Sequence, residues 1–160
     1  MSPVTQPFSL GIVPRYAEVD QQGVVFNGHY LTWFDEASTA FLDHLGVPLT
    51  DFTDWGLDVQ VVHAEIDFLA PVRWRDGVRV ETRCASIGTT SFALQFDVQR
   101  RDADGADVIA VSGRNVYVVV STDDWAKREI PARLRTALTS VAGQGRNARD
   151  TGIDEGTVAP

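Results

Sequence analysis

The apolar positions Tyr30, Trp33, Phe34, Ala37, Phe41 and Leu45 recur at intervals of three and four, while Thr32, Asp35, Glu36, Ser38, Thr39 and Asp43 fall mainly on the opposite side. That period is the signature of a helix with one buried face. Asn27 can serve as its N-cap, and Gly46 followed by Pro48 supplies a stop, so the pattern predicts a helix over 28–45. Ahead of it, residues 8–16 read as a short β-prone run in which Pro14 marks an edge or a bulge, because proline has no N–H for a ladder. Behind it comes a loop with Pro48, Asp51, Asp54 and Gly56, and then four predicted strands over 59–69, 78–87, 91–101 and 107–121. In the third of these, Phe92, Leu94, Phe96 and Val98 alternate with Ser91, Ala93, Gln95, Asp97 and Gln99, the period of a sheet with one face on a core. Arg75-Asp76-Gly77, Gly88-Thr89-Thr90 and Asp102-Ala103-Asp104-Gly105 separate the strands with residues that tolerate tight bends, which implies antiparallel connections. Residues 132–141 add one or two helical turns. The class is therefore α+β: five antiparallel strands, with one long helix as the only large element available to cover their apolar face.

Composition narrows this to a single unit. At 160 residues and 44% hydrophobic content the chain fills one core better than two, with the domain over residues 1–141. Residues 142–160 are rich in Gly, Asp and Arg and almost free of large apolar side chains, so they are expected to form a disordered tail. A net charge of -8 argues against a nucleic-acid surface, which needs clustered cations. The lone Cys84 forms no intrachain disulfide, and the start of the chain has no basic region followed by a hydrophobic one. The longest apolar run, 116–120, is far short of the roughly 20 residues that span a bilayer. A soluble, cytoplasmic protein without membrane contact is expected.

Chemistry concentrates in one place. Asp20 lies just ahead of the predicted helix start, where free backbone N–H groups and positive potential suit an oxyanion while a carboxylate can act as base or nucleophile. The plainer role for such an aspartate is an Asx-turn. Glu18, two residues before it, is a secondary candidate that would raise the Asp20 pKa by like-charge repulsion if both share a strand face. His29 either contacts substrate or packs at the first helical turn. Tyr30, Trp33 and Phe34 either wall an apolar pocket or pack the helix on the sheet. Glu36 sits on the polar helix side, exposed or at a subunit contact, and His44 suits the helix C-terminus. His63, Glu65 and Asp67 share a strand face but read as polar surface rather than a metal site, and Cys84 reads as a small core residue.

The segment Asp20-Gln21-Gln22-Gly23-Val24-Val25, with Tyr30 ten residues after the acid, matches the pattern Asp-x-x-Gly-Val-Val followed by an aromatic residue. Phe68-Leu69-Ala70-Pro71 with Asp76-Gly77, and Ile130-Pro131 near the end, complete the match over roughly residues 8–135. In these motifs and in its strand order the chain resembles the hot-dog fold acyl-CoA thioesterases of the 4-hydroxybenzoyl-CoA thioesterase family. The resemblance implies a long central helix wrapped by a five-stranded antiparallel sheet, with Asp20 as the catalytic carboxylate. It further implies that the backbone N–H of Asn27, with Gly28, His29 and Tyr30 beside it, holds the thioester carbonyl. Some branches carry a histidine where Asn27 stands, and here the nearest is His29.

The implied reaction is hydrolysis of an acyl-CoA or acyl carrier protein thioester without a metal or other cofactor, coenzyme A entering as part of the substrate. Asp20 would attack directly or activate water. The implied assembly is a homodimer, or a homotetramer. Relatives often meet the nucleotide end of CoA at the turn after Gly88, where Thr89, Thr90 and Ser91 supply no basic residue. Arg73, Arg75, Arg100, Arg101 and Arg114 are the other candidates for that end. The alternatives are a non-catalytic acyl-CoA-binding module and a hydratase or dehydratase on the same fold.

Overall fold

The protein is described over residues 6–143 by a computed structural model. In chain order the elements are β1 (Phe8–Ile12), a single 3-10 turn (Tyr16–Glu18), α1 (His29–His44), α2 (Leu49–Asp54), β2 (Leu57–Phe68), β3 (Val78–Ile87), β4 (Ser91–Arg101), β5 (Asp107–Ser121) and α3 (Ala132–Val141). The strands form one antiparallel sheet in the order β1-β3-β4-β5-β2. The expected α+β arrangement, one sheet around one long helix, is what is observed.

The helix period translates directly into burial. Tyr30, Trp33, Phe34, Ala37 and Phe41 are all buried and meet Val80, Leu94, Phe96, Val98 and Val111 from the sheet. Phe34 stacks flat on Phe96 with ring centroids 4.6 Å apart. Gly113 on β5 makes this stack possible, because a Cβ there would stand 2.7 Å from Phe34 Cζ and 3.0 Å from the Glu65 carbonyl oxygen. At the far end of α1, Gly46 adopts φ +75° and lets Val47 N donate to Leu42 O at 2.9 Å, which closes the helix. From α3, Leu134 and Leu138 complete the core.

Several expected boundaries shift. The first strand ends at Ile12, not at residue 16, and the chain then forms the 3-10 turn around Glu18. The loop after Pro48 contains a helix, α2, that buries Phe52. The N-cap of α1 is Gly28 and no side chain caps it, which corrects the assignment of Asn27. The second strand begins two residues early and ends one early, at Leu57 and Phe68. It is an outer strand of the sheet, opposite β1, and residues 61–65 are all exposed. No described helix is long and apolar enough to cross a membrane. The tail expected over 142–160 lies, from 144 onward, outside the described residues.

Candidate active site

Between β1 and α1 the chain makes a small hairpin. Val19 bridges to Val25, Asp20 N donates to Val24 O at 2.9 Å, and Gly23 N donates back to Asp20 O at 2.9 Å. The turn needs a left-handed residue, and Gly23 supplies it at φ +78°. Val24 also bridges to Arg73, and Val25 N donates to Val72 O at 2.8 Å, so the hairpin lies against the segment that leaves β2. Asp20 is thereby held at a bend, half-buried, with Oδ1 accepting the Gln22 N–H at 2.7 Å. This is the Asx-turn. Among the described residues Oδ2 has no partner, so one carboxylate oxygen is fixed and the other is available.

Glu18 secures the base of this hairpin. It is 3% exposed, and its carboxylate accepts the Arg15 backbone N–H at 2.8 Å, the Arg15 guanidinium at 2.9 Å and the Trp33 indole N–H at 3.2 Å. Its carbonyl accepts Phe26 N at 2.9 Å, which pins the returning strand just before α1. Burial disfavours the charge, but the hydrogen bonds from Arg15 and Trp33 outweigh it and hold the carboxyl below the ordinary glutamate range. Glu18 thus faces Arg15 and Trp33, and its role is structural.

At the helix start His29 N donates to Phe26 O at 3.0 Å, so its N–H is engaged, whereas those of Asn27 and Gly28 donate to no acceptor among the described residues. A cavity of about 690 Å³ opens here, lined by Asp20, Phe26, Asn27, Tyr30, Phe68 and Pro71 among others. The structure therefore brings Asp20, Asn27 and Tyr30 together. Gly28 lines an adjoining hollow of about 240 Å³ with Asn27, Leu31, Ala64, Ile66 and Phe68. His29 lines neither and sets its ring edge-on to Phe26 at 5.9 Å.

Of the three helix aromatics, only Tyr30 reaches the cavity. Its ring lies 5.8 Å from that of Phe68, and burial pushes its hydroxyl pKa up, an effect opposed by a hydrogen bond from the Val72 backbone. Trp33 and Phe34 are core residues. The other candidates lie elsewhere. His63 sits 3.8 Å from Glu65 on exposed β2, Glu36 is exposed, and the His44 ring is 5.1 Å from that of Phe8. Cys84 is buried, which raises its thiol pKa.

Periodicity did not single out Phe26 and Phe68, which are half-exposed on the cavity wall. The signal for Phe26 is an apolar residue in a loop, where polar ones are usual, and Phe68 opens the Phe68-Leu69-Ala70-Pro71 motif. The turn after Gly88 does acquire a cation: Arg135 of α3 donates to Gly88 O at 2.7 Å and to Thr89 O at 3.2 Å.

Known proteins share this sequence pattern and fold. Residues 22–106 match the profile described as the thioesterase superfamily. A 1,4-dihydroxy-2-naphthoyl-CoA hydrolase of Thermosynechococcus vestitus is 32% identical over 137 residues, 85% of this chain and 91% of that protein. A gentisyl-coenzyme A thioesterase structure superposes with TM-score 0.72 at 27% identity, over 82% of this chain and 99% of the other. The Dynemicin thioesterase superposes with TM-score 0.77 at 25% identity, over 86% and 98%.

Proposed function

The chain belongs to the thioesterase superfamily, and we propose that the thioester it hydrolyses is that of an acyl-coenzyme A, with Asp20 as the reacting carboxylate. One observation carries this reading: Asp20 lines the same cavity as Asn27, just ahead of a 16-residue helix, and among the described residues neither Asp20 Oδ2 nor the Asn27 N–H has a partner. A thioester carbonyl between them would meet a nucleophile or base on one side and an oxyanion donor on the other. In the nucleophilic route Asp20 Oδ2 bonds to the carbonyl carbon, the C–S bond breaks, and coenzyme A leaves as thiolate. Water then cleaves the mixed anhydride, giving the free acid and regenerating the carboxylate. In the general-base route Asp20 takes a proton from the water that attacks the same carbon, then returns it to the thiolate. Neither route uses a metal.

Phe26, Tyr30 and Phe68 give the acyl side of the cavity an aromatic lining, and the relatives named for naphthoyl and gentisyl thioesters support an aroyl group as the acid released. Two protomers would complete the site. β2 is a 12-residue outer strand with Val61, Val62 and Phe68 exposed, an edge that isolated proteins avoid leaving bare. Pairing of two β2 edges would form a homodimer and place a second copy beside Phe68. A panel of aroyl-CoA and aliphatic acyl-CoA thioesters in a thiol-release assay tests the reading. Turnover of aroyl-CoA is expected, and turnover of acyl carrier protein thioesters alone, or of nothing, would refute it.

A further inference from the structure

The protein is acidic, with a net charge of -8, and most of its described arginines are matched by a carboxylate, among them Arg15 with Glu18, Arg79 with Asp107, Arg83 with Asp97 and Arg133 with Asp51. Arg73 and Arg75 are not. Neither guanidinium has a hydrogen bond or ion pair among the described residues, and both flank Trp74 in the turn between β2 and β3. The Asp76 carboxylate, which could have neutralised them, instead accepts the backbone N–H of Arg73 at 2.7 Å.

The aromatic groups here are equally unusual. Trp74 is 45% exposed and Tyr16 79% exposed, and their rings meet edge to face with centroids 5.6 Å apart. The Arg75 guanidinium lies 4.2 Å from the Trp74 ring centroid, and its backbone takes φ +70°, a conformation that a residue with a side chain seldom adopts. Two large aromatic surfaces left in water beside two unmatched cations suit a ligand with a flat π-face and several phosphates.

The position is right for the proposed substrate. Asp20 pairs with Val24, and Val24 bridges to Arg73, so the backbone of Arg73 is two interstrand spacings, about 10 Å, from that of Asp20. An extended pantetheine arm is longer than that and would cross it bent. Pro71, three residues before Trp74, lines the cavity itself.

We propose that Tyr16 and the Arg73-Trp74-Arg75 turn bind the 3′-phospho-ADP end of coenzyme A, the adenine stacking on Trp74 beside Tyr16 and the phosphates pairing with Arg73 and Arg75. The assignment rests on the reading of the substrate as a CoA thioester and specifies which carrier the enzyme recognises. It differs from the turn after Gly88, where the Arg135 guanidinium is engaged by the carbonyls of Gly88 and Thr89.

Adenosine 3′,5′-bisphosphate, titrated into the full-length chain by calorimetry, tests the site without catalysis. The wild type should bind it. Trp74→Ala, and Arg73→Ala with Arg75→Ala, should each weaken binding about 10-fold or more, with the double substitution also flattening the salt dependence, while Arg135→Ala leaves the affinity unchanged. In turnover, the same variants should lower the ratio of kcat/KM for an aroyl-CoA over the matching aroyl-N-acetylcysteamine thioester about 10-fold, mainly through KM for the CoA substrate. Absence of nucleotide binding by the wild type, or weakening by Arg135→Ala and not by the turn variants, would overturn the assignment even if CoA thioesters are hydrolysed. Nucleotide binding that depends on Trp74 in a protein that hydrolyses no CoA thioester would uphold the site and remove the catalytic reading. A preference for acyl carrier protein thioesters without nucleotide affinity would remove both.

Discussion

Replacing Glu18 by glutamine keeps the shape of the residue that secures the Asp20 hairpin and removes its charge. One carboxylate oxygen becomes an NH2 group that faces donors it cannot accept. The wild-type carboxylate receives a buried indole N–H at 3.2 Å and a backbone N–H at 2.8 Å. Hydrogen bonds to a charged group exceed neutral ones by about 1 kcal/mol each, so these two account for about 2 kcal/mol. The third partner, the Arg15 guanidinium at 2.9 Å, belongs to a side chain that is 70% exposed, so its ion pair adds less than about 1 kcal/mol. The expected destabilisation is about 2–3 kcal/mol, which at a urea m-value of about 2 kcal/mol/M moves the midpoint down by about 1 M.

The pH dependence supplies an internal control. Because the folded-state pKa of Glu18 lies below the ordinary 4.5, its contribution is complete above that value and disappears as the pH falls through the folded pKa. Urea unfolding of wild type and Glu18→Gln should therefore differ more at pH 7 than at pH 3. A gap below about 0.5 kcal/mol at pH 7, or an equal gap at both pH values, would show that the charge on Glu18 does not stabilise the hairpin.

Three further outcomes are expected. Gly113→Ala forces a methyl against Phe34 and the Glu65 carbonyl and should cost about 1–3 kcal/mol in urea unfolding, with Phe34→Leu in the same chain recovering part of it. Val61→Lys with Val62→Lys places two charges on the exposed β2 edge and should shift the proposed homodimer to monomer in sedimentation velocity, with aroyl-CoA turnover falling in step. Cys84, buried and with its thiol pKa raised by burial, should react with a thiol reagent at pH 7.5 at least about 10-fold more slowly than in the urea-unfolded chain.

The elements that a local signal specifies were legible in the sequence to the residue. β3, β4 and β5 occupy 78–87, 91–101 and 107–121 as the turn chemistry at Gly88 and Gly105 demands, and α3 occupies 132–141. What the sequence concealed depends on tertiary contact. α2 is six residues long and carries Asp51 and Asp54, so only the burial of Phe52 distinguishes it from a loop. The first strand stops at Ile12 and gives way to the 3-10 turn around buried Glu18, whose carboxylate meets a tryptophan 15 residues away.

The same division runs through the site. Asp20, Asn27 and Tyr30 were found by motif, and the structure gathers them on one cavity. Arg135 reaches the turn after Gly88 from 46 to 47 residues downstream, a contact no spacing rule predicts. Glu18 is a secondary candidate beside Asp20 in the sequence only if the two share a face of an extended strand. The 3-10 turn breaks that strand and turns Glu18 toward Trp33.

Whether the Asp20 carboxylate performs the hydrolysis is tested by kcat of Asp20→Asn on an aroyl-CoA. Asparagine preserves the acceptor for the Gln22 N–H, so the variant should melt and sediment like the wild type. Its kcat should fall at least about 100-fold, because an amide neither attacks a thioester nor takes a proton from water. A folded Asp20→Asn variant that retains kcat within a few-fold of wild type would contradict the account.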